Sequence, residues 1–170
     1  MMATPDLHHI LVPHDFSGTA ERALGYALAL AERLGARITI MHAYESPSYG
    51  YPDAVVASLE FETEIARAAK SALDGVLARF AGADVDIDTL LRRGTPWIEI
   101  GAAAESLKTD LIVMGTQGRR GLARALLGSV AERVVRTASC PVLTVRAGHP
   151  EPHPIAAAER ADFYAPSAER

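Results

Sequence analysis

The chain has 170 residues, 49% of them hydrophobic and 22% charged, with a formal net charge of -4. That length holds one domain, or one domain with an arm, and can bury a core without disulfides or a structural metal. The composition excludes wholesale disorder, and the acidic balance argues against a general nucleic-acid binder.

Short apolar runs alternate with helical patterns from the start. His9-Ile10-Leu11-Val12-Pro13 reads as a strand, closed by Pro13 and the polar pair His14-Asp15. Residues 17–34 read as a helix, with Ala20, Ala23, Leu24, Ala27, Leu28, Ala31 and Leu34 on one face. Ser17 or Thr19 can cap its start, and Gly35 follows its end. Residues 37–43 form a second β-rich run, followed by a loop with Pro47, Tyr49, Gly50, Tyr51 and Pro52. A long helical pattern covers residues 54–81, with Ile65, Ala69, Ala72, Leu73, Val76 and Phe80 on one face. Residues 85–91 alternate, as in a strand with a wetter face or near an edge.

Thr95 caps the next helix, with Pro96 at its first position, Ile100, Ala103, Ala104 and Leu107 along its face, and Lys108 in its last turn. Residues 111–114 are wholly apolar, the pattern of a strand covered by helices on both faces. A Gly/Arg loop, a further helical pattern to Arg136 and a last strand at 141–145 complete the body. Five strands joined by helical connections predict an α/β fold with a parallel sheet.

Residues 147–170 differ. Pro150, Pro152 and Pro154 alternate there, so the segment is expected to be an extended, flexible tail. It carries half of the net charge, with Arg160 and Arg170 against Glu151, Glu159, Asp162 and Glu169. The lone Cys140 excludes an intrachain disulfide. No secretory signal is visible, and no apolar run approaches the roughly 20 residues that span a bilayer. A cytoplasmic protein, with no membrane and no nucleic-acid partner, is therefore expected.

The chemically informative segment begins where the fourth strand ends. It reads Gly115-Thr116-Gln117-Gly118-Arg119-Arg120-Gly121, continues to Leu127, and closes with Gly128-Ser129-Val130. Ligands of open α/β sheets bind at the carboxyl ends of strands. Gly115, Gly118 and Gly128 lack Cβ, which permits positive φ and close approach of an anion to backbone N–H groups. Ser129 and Glu132 have capping-box spacing, so a helix starting at Ser129 would offer its N-terminus to phosphate. Arg119, Arg120 and Arg124 add positive charge, and only Lys70 and Lys108 are lysines, so an anion site must use arginine and backbone. Each part alone has a plainer use: turn glycines, a solvated arginine face, an ordinary helix start. The segment is not a Walker A loop, having no Lys-Ser/Thr, and not the dinucleotide fingerprint, which follows the first strand.

Glycine, two residues, glycine, nine residues, then glycine and serine resembles the nucleotide-binding signature of the universal stress protein family. Gly115, Gly118, Gly128 and Ser129 match it. Ile10-Leu11-Val12-Pro13-His14-Asp15-Phe16-Ser17, Met41-His42-Ala43, Asp110 to Gly115 and Cys140 to Val145 resemble the family's strands and acidic loop. The resemblance spans residues 7–146 and leaves the tail outside, so residues 1–146 are expected to form the domain. It implies a Rossmann-like five-stranded parallel sheet in the order 3-2-1-4-5, with helices on both faces. It implies ATP or another adenine nucleotide as ligand, with Mg²⁺ bound through the phosphates. Asp15 would meet the ribose and the Ala43 backbone adenine, while Pro13 and His14 line the mouth. Met114, Gly115, Thr116, Gly118, Arg119, Gly128, Ser129 and Val130 would surround the phosphates. Gln117 stands where many members have histidine, which leaves backbone contacts intact but removes an imidazole. The implied role is a nucleotide-linked stress sensor or regulator, homodimeric through the last strand. The alternatives are a slow ATPase, for which no general base is placed, and an interaction protein with a vestigial pocket. His42 and Trp97 are expected to pack, Cys140 to be buried, and His8, His9, His149 and His153 to be exposed.

Overall fold

Residues 7–45, 55–116 and 127–148 are described by the computed structural model, those at 55–60 by their backbone alone. The elements run β1 (His9–Pro13), α1 (Gly18–Leu34), β2 (Arg37–Tyr44), α2 (Val55–Ala78), β3 (Ile87–Arg93), α3 (Pro96–Ser106), β4 (Leu111–Gly115), α4 (Ser129–Thr137) and β5 (Val142–Val145). The five strands pair in parallel in the order β3-β2-β1-β4-β5, as the resemblance implied.

β1 is the middle strand, and Ile10, Leu11 and Val12 are fully buried. Successive strand side chains point to opposite faces. Ile10 and Val12 pack with Leu24 of α1 and Leu73 of α2, whereas Leu11 packs with Ile100 of α3 and Val134 of α4. The sheet therefore carries α1 and α2 on one face and α3 and α4 on the other. From β1 the chain passes to β2 on one side, and β4 lies on the other. That reversal of strand order opens a crevice at the carboxyl ends of β1 and β4.

Local chemistry sets the helix ends. The Ser17 hydroxyl accepts the Ala20 N–H at 3.3 Å at the start of α1, and Gly35 closes the helix at φ 68°. At the other edge of the sheet, Asp110 Oδ2 accepts the N–H groups of His8 and His9, each at 2.9 Å, and the Asp110 N–H donates to His9 O at 3.0 Å. One carboxylate thus ties the start of β4 to the start of β1.

Several sequence expectations are corrected. His9 is buried, not exposed, because its ring finds partners on both sides: Thr39 Oγ1 lies 2.8 Å from Nε2 and Leu107 O 3.2 Å from Nδ1. β3 is displaced two residues toward Gly94, since its ladder with β2 runs from Ile38–Ile87 to Tyr44–Arg93. It remains an edge strand with a wet face, as expected. Ala72 and Leu34 sit on the predicted helical stripes yet are exposed, because α2 and the end of α1 bury narrower faces than the periodicity offers. Lys108 lies past the end of α3 in a left-handed turn at φ 52° rather than in its last turn.

Leu73 anchors α2 to the sheet and is fully buried. Leu73→Ala is expected to lower the unfolding free energy by about 2–5 kcal/mol in urea titrations, through lost transfer energy plus a cavity.

Candidate functional site

The loop leaving β1 is fastened by its own backbone. His14 N–H donates to Met41 O at 2.7 Å, and His42 Nδ1 donates to His14 O at 2.7 Å. His42 is thereby half-buried and hydrogen-bonded, as expected. The His14 side chain is completely buried, and its Nδ1 accepts the Phe16 N–H at 3.2 Å. In the neutral ring the proton then sits on Nε2. That atom makes no hydrogen bond but has Glu21 Oε1 at 3.5 Å, and Glu21 is itself paired with Arg79 at 2.7 Å. Burial pulls the His14 pKa below its ordinary 6.5, against the opposing pull of Glu21 and Asp15. The unfolded chain binds that proton more readily. This contribution to stability is therefore complete above the ordinary value and is lost as the pH falls toward the folded one.

Asp15 follows. Its Oδ1 accepts the Ser17 N–H at 3.1 Å and the Ser17 hydroxyl at 2.5 Å. With its own hydrogen committed to a carboxylate, the Ser17 oxygen accepts from Ala20 N–H and from the Thr19 hydroxyl at 3.0 Å. Asp15 is thus held at the sheet edge by the residue that caps α1.

Gly115 ends β4, and it is glycine for a reason other than the expected one. Its φ is not positive. A Cβ there would lie 2.9 Å from both the carbonyl carbon and Cβ of Thr19. The first turn of α1 rests on this strand end. The next residue, Thr116, is buried, and its N–H donates to Val145 O at 2.8 Å. Its carbonyl accepts the Gly128 N–H at 2.6 Å. That bond brings the start of α4 back to the end of β4.

α4 begins at Ser129 as expected, but Ser129 is not its cap. Gly128 is the cap, at φ -72° and ψ 157°, with no side-chain capping bond. Gly128 O accepts the Glu132 N–H at 2.9 Å, while the Glu132 carboxylate pairs with Arg136 at 3.1 Å instead of reaching back. The capping box is not formed, and Ser129 is exposed in the first turn of the helix. Helix geometry leaves the N–H groups of Ser129, Val130 and Ala131 without intrahelical acceptors, at the positive end of the dipole.

The remaining expected residues flank this edge. Pro13 ends β1 opposite Met41, and Met114 is buried beneath Gly115. Ala43 lies beside Arg92 near the end of β2 and packs toward the core that Trp97 and Val130 also join. Trp97 packs there as expected, with the Arg133 guanidinium 5.4 Å above its ring. Cys140 is half-buried rather than fully buried. Gly118, Arg119, Arg120, Arg124, the loop at 46–54 and residues 149–170 lie outside the described residues. The structure therefore brings together Asp15, Gly115, Thr116, Gly128, Ser129 and Val130 around the crevice. Sequence reasoning missed Glu21 and offered Thr19 only as an alternative cap. It also missed the Asp15–Ser17 pairing, for which the Asp-x-Ser spacing, a familiar local turn, was the available signal.

An open parallel sheet covered on both faces, with a helix N-terminus and an acidic loop at its carboxyl edge, defines a Rossmann-like α/β protein. The chain belongs to the universal stress protein family, whose model matches residues 7–146. It is 39% identical to a universal stress protein of Methanocaldococcus jannaschii, over 81% of each chain. It is 42% identical to one of Thermus aquaticus, over 81% of this chain and 97% of that one. The solved universal stress protein UspA from Lactobacillus plantarum is 28% identical with a TM-score of 0.76, over 84% of this chain and all 100% of that one. A universal stress protein in complex with cAMP is 27% identical with a TM-score of 0.54, over 83% and 98% of the two chains. Among the described residues no helix is long and apolar enough to cross a membrane.

The Gly115–Thr19 contact makes a direct expectation. Gly115→Ala should destabilise the fold by about 1–3 kcal/mol in thermal or urea unfolding, as an overpacked site. Adding Thr19→Ala should not restore stability, because the Thr19 backbone stays in the way.

Proposed function

We propose that this chain binds adenine nucleotides, ATP foremost, in the mouth between the β1–α1 loop and the start of α4, and acts as a nucleotide-linked regulator in stress adaptation. The observation that carries the reading is the α4 N-terminus. Gly128 caps it through backbone alone, so helix geometry leaves the first three N–H groups without intrahelical acceptors, and the exposed Ser129 stands beside them to meet an anion. Phosphate fits that donor set. Gly118 and Arg119 would complete the phosphate side, with Gly115 and Thr116 beneath it. Asp15, held by Ser17, would accept from ribose hydroxyls. The Ala43 backbone would meet the base, with Pro13, His14, Met114 and Val130 shaping the mouth. The relative in complex with cAMP supports an adenine ligand. Mg²⁺ would ride on the phosphates.

Residues 1–146 form the nucleotide-binding unit in this reading, with 147–170 as a tail outside it, in a cytoplasmic protein. No residue is assigned as a general base, so binding rather than turnover is the proposed activity. β5 is an edge strand with Leu143 38% exposed, which favours pairing of two copies along it.

Equilibrium dialysis with ATP and Mg²⁺ is expected to show saturable binding below millimolar. Asp15→Ala should weaken it about tenfold or more, the worth of a hydrogen bond to a charged group. Gly128→Val should abolish it at unchanged helix content. The absence of saturable binding in folded protein would overturn the reading.

A further inference from the structure

Building on the nucleotide reading of the mouth, we propose that His14 is its positioning residue: the neutral imidazole holds Phe16 in the turn that presents Asp15, and protonation of the ring releases that turn and weakens nucleotide binding.

Phe16 has φ 63°, a left-handed conformation that bulky residues avoid unless their surroundings impose it. Two things impose it here. The Phe16 N–H donates to His14 Nδ1 at 3.2 Å, and the Phe16 ring lies 5.4 Å from the His14 ring and 4.6 Å from the His42 ring. The first of these requires an unprotonated Nδ1. Asp15 sits between the two bonded residues, so the turn closed by that hydrogen bond sets where the Asp15 carboxylate stands.

Protonation changes the geometry at one atom. Nδ1 gains a hydrogen and becomes a donor facing the Phe16 N–H donor. The attraction becomes a repulsion, and the left-handed turn loses its polar anchor. On the opposite side, Nε2 already faces Glu21 Oε1 at 3.5 Å, so a charged ring has a carboxylate to move toward. The groups that face His14 are Glu21 of α1 and Asp15 of its own loop, which favour the charge, and Arg79 after α2 and His42 of β2, which oppose it. Burial also opposes it, so the neutral ring is the resting state, and acid converts it.

The test uses the full chain and two readouts. Side-chain NMR of the His14 ring and the backbone amide of Phe16 are followed across pH without nucleotide. ATP affinity is then measured across the same range for the wild type, His14→Asn, His14→Leu and Glu21→Gln. The Phe16 amide is expected to move with the midpoint of the His14 ring. Below that midpoint the wild-type Kd should rise, approaching about tenfold per pH unit, since only the neutral fraction is competent. His14→Asn places a permanent acceptor two residues before the Phe16 N–H, as in an Asx-turn. It should bind ATP more tightly than His14→Leu at every pH, without the acid weakening that the ring causes. Glu21→Gln should shift the wild-type profile to lower pH. The Asn variant also controls for titration of ATP itself. A His14→Asn profile that keeps the wild-type slope, or a Phe16 amide indifferent to His14, would overturn the proposal. Absence of ATP binding at every pH would instead overturn the nucleotide reading, while the co-titration in free protein decides the positioning role by itself.

Discussion

The first turn of α1 lies against the last residue of β4, and the carboxyl edge of the sheet takes its shape from that contact. A side chain at Gly115 would meet the Thr19 backbone at 2.9 Å, so the strand end must be bare for the helix to sit there. Thr19 in turn is linked to Ser17, and Ser17 holds Asp15. The position of the acidic loop over the crevice thus follows from a steric allowance on the neighbouring strand. Thr116 extends the arrangement in the other direction, through its bonds to Val145 and Gly128. From one close approach the edge gains a carboxylate on one side and a helix N-terminus on the other.

Those two sides differ in how they work. The α4 side presents backbone donors fixed by helix geometry, which need no side-chain ordering to receive an anion. The Asp15 side depends on a chain of side-chain bonds and on a strained residue, Phe16, whose conformation is set by a buried imidazole. Constant electrostatics stands opposite an adjustable positioning element.

Much of this was legible in the sequence, and the failures have physical causes. The alternation of apolar runs and helical stripes gave every element, because a parallel sheet buried on both faces leaves no ambiguity at Leu111–Gly115 or His9–Pro13. β3 was displaced because an edge strand is defined by its ladder, and Arg92 and Arg93 continue that ladder without apolar content. His9 looked exposed because sequence does not show that Thr39 and Leu107 converge on it. At the carboxyl edge, the glycine-serine spacing pointed to Gly115 at the end of β4 and to the start of α4 at Ser129. It misassigned the cap at α4 and the reason for Gly115, since both are decided by contacts from elements far away in sequence. The role of His14 was beyond reach for the same reason: Nδ1 and Nε2 acquire meaning only once Phe16 and Glu21 are placed around the ring.

The central claim is that the carboxyl edge between β1 and β4 receives an adenine nucleotide. Amide NMR of the uniformly labelled chain, titrated with ATP and Mg²⁺, tests it most directly. The account predicts saturable shifts at Asp15, Ala43, Thr116, Ser129 and Val130, with His9 and Asp110 at the opposite edge unmoved. Shifts concentrated at the His9–Asp110 edge, or no saturable shift at all in folded protein, would contradict it.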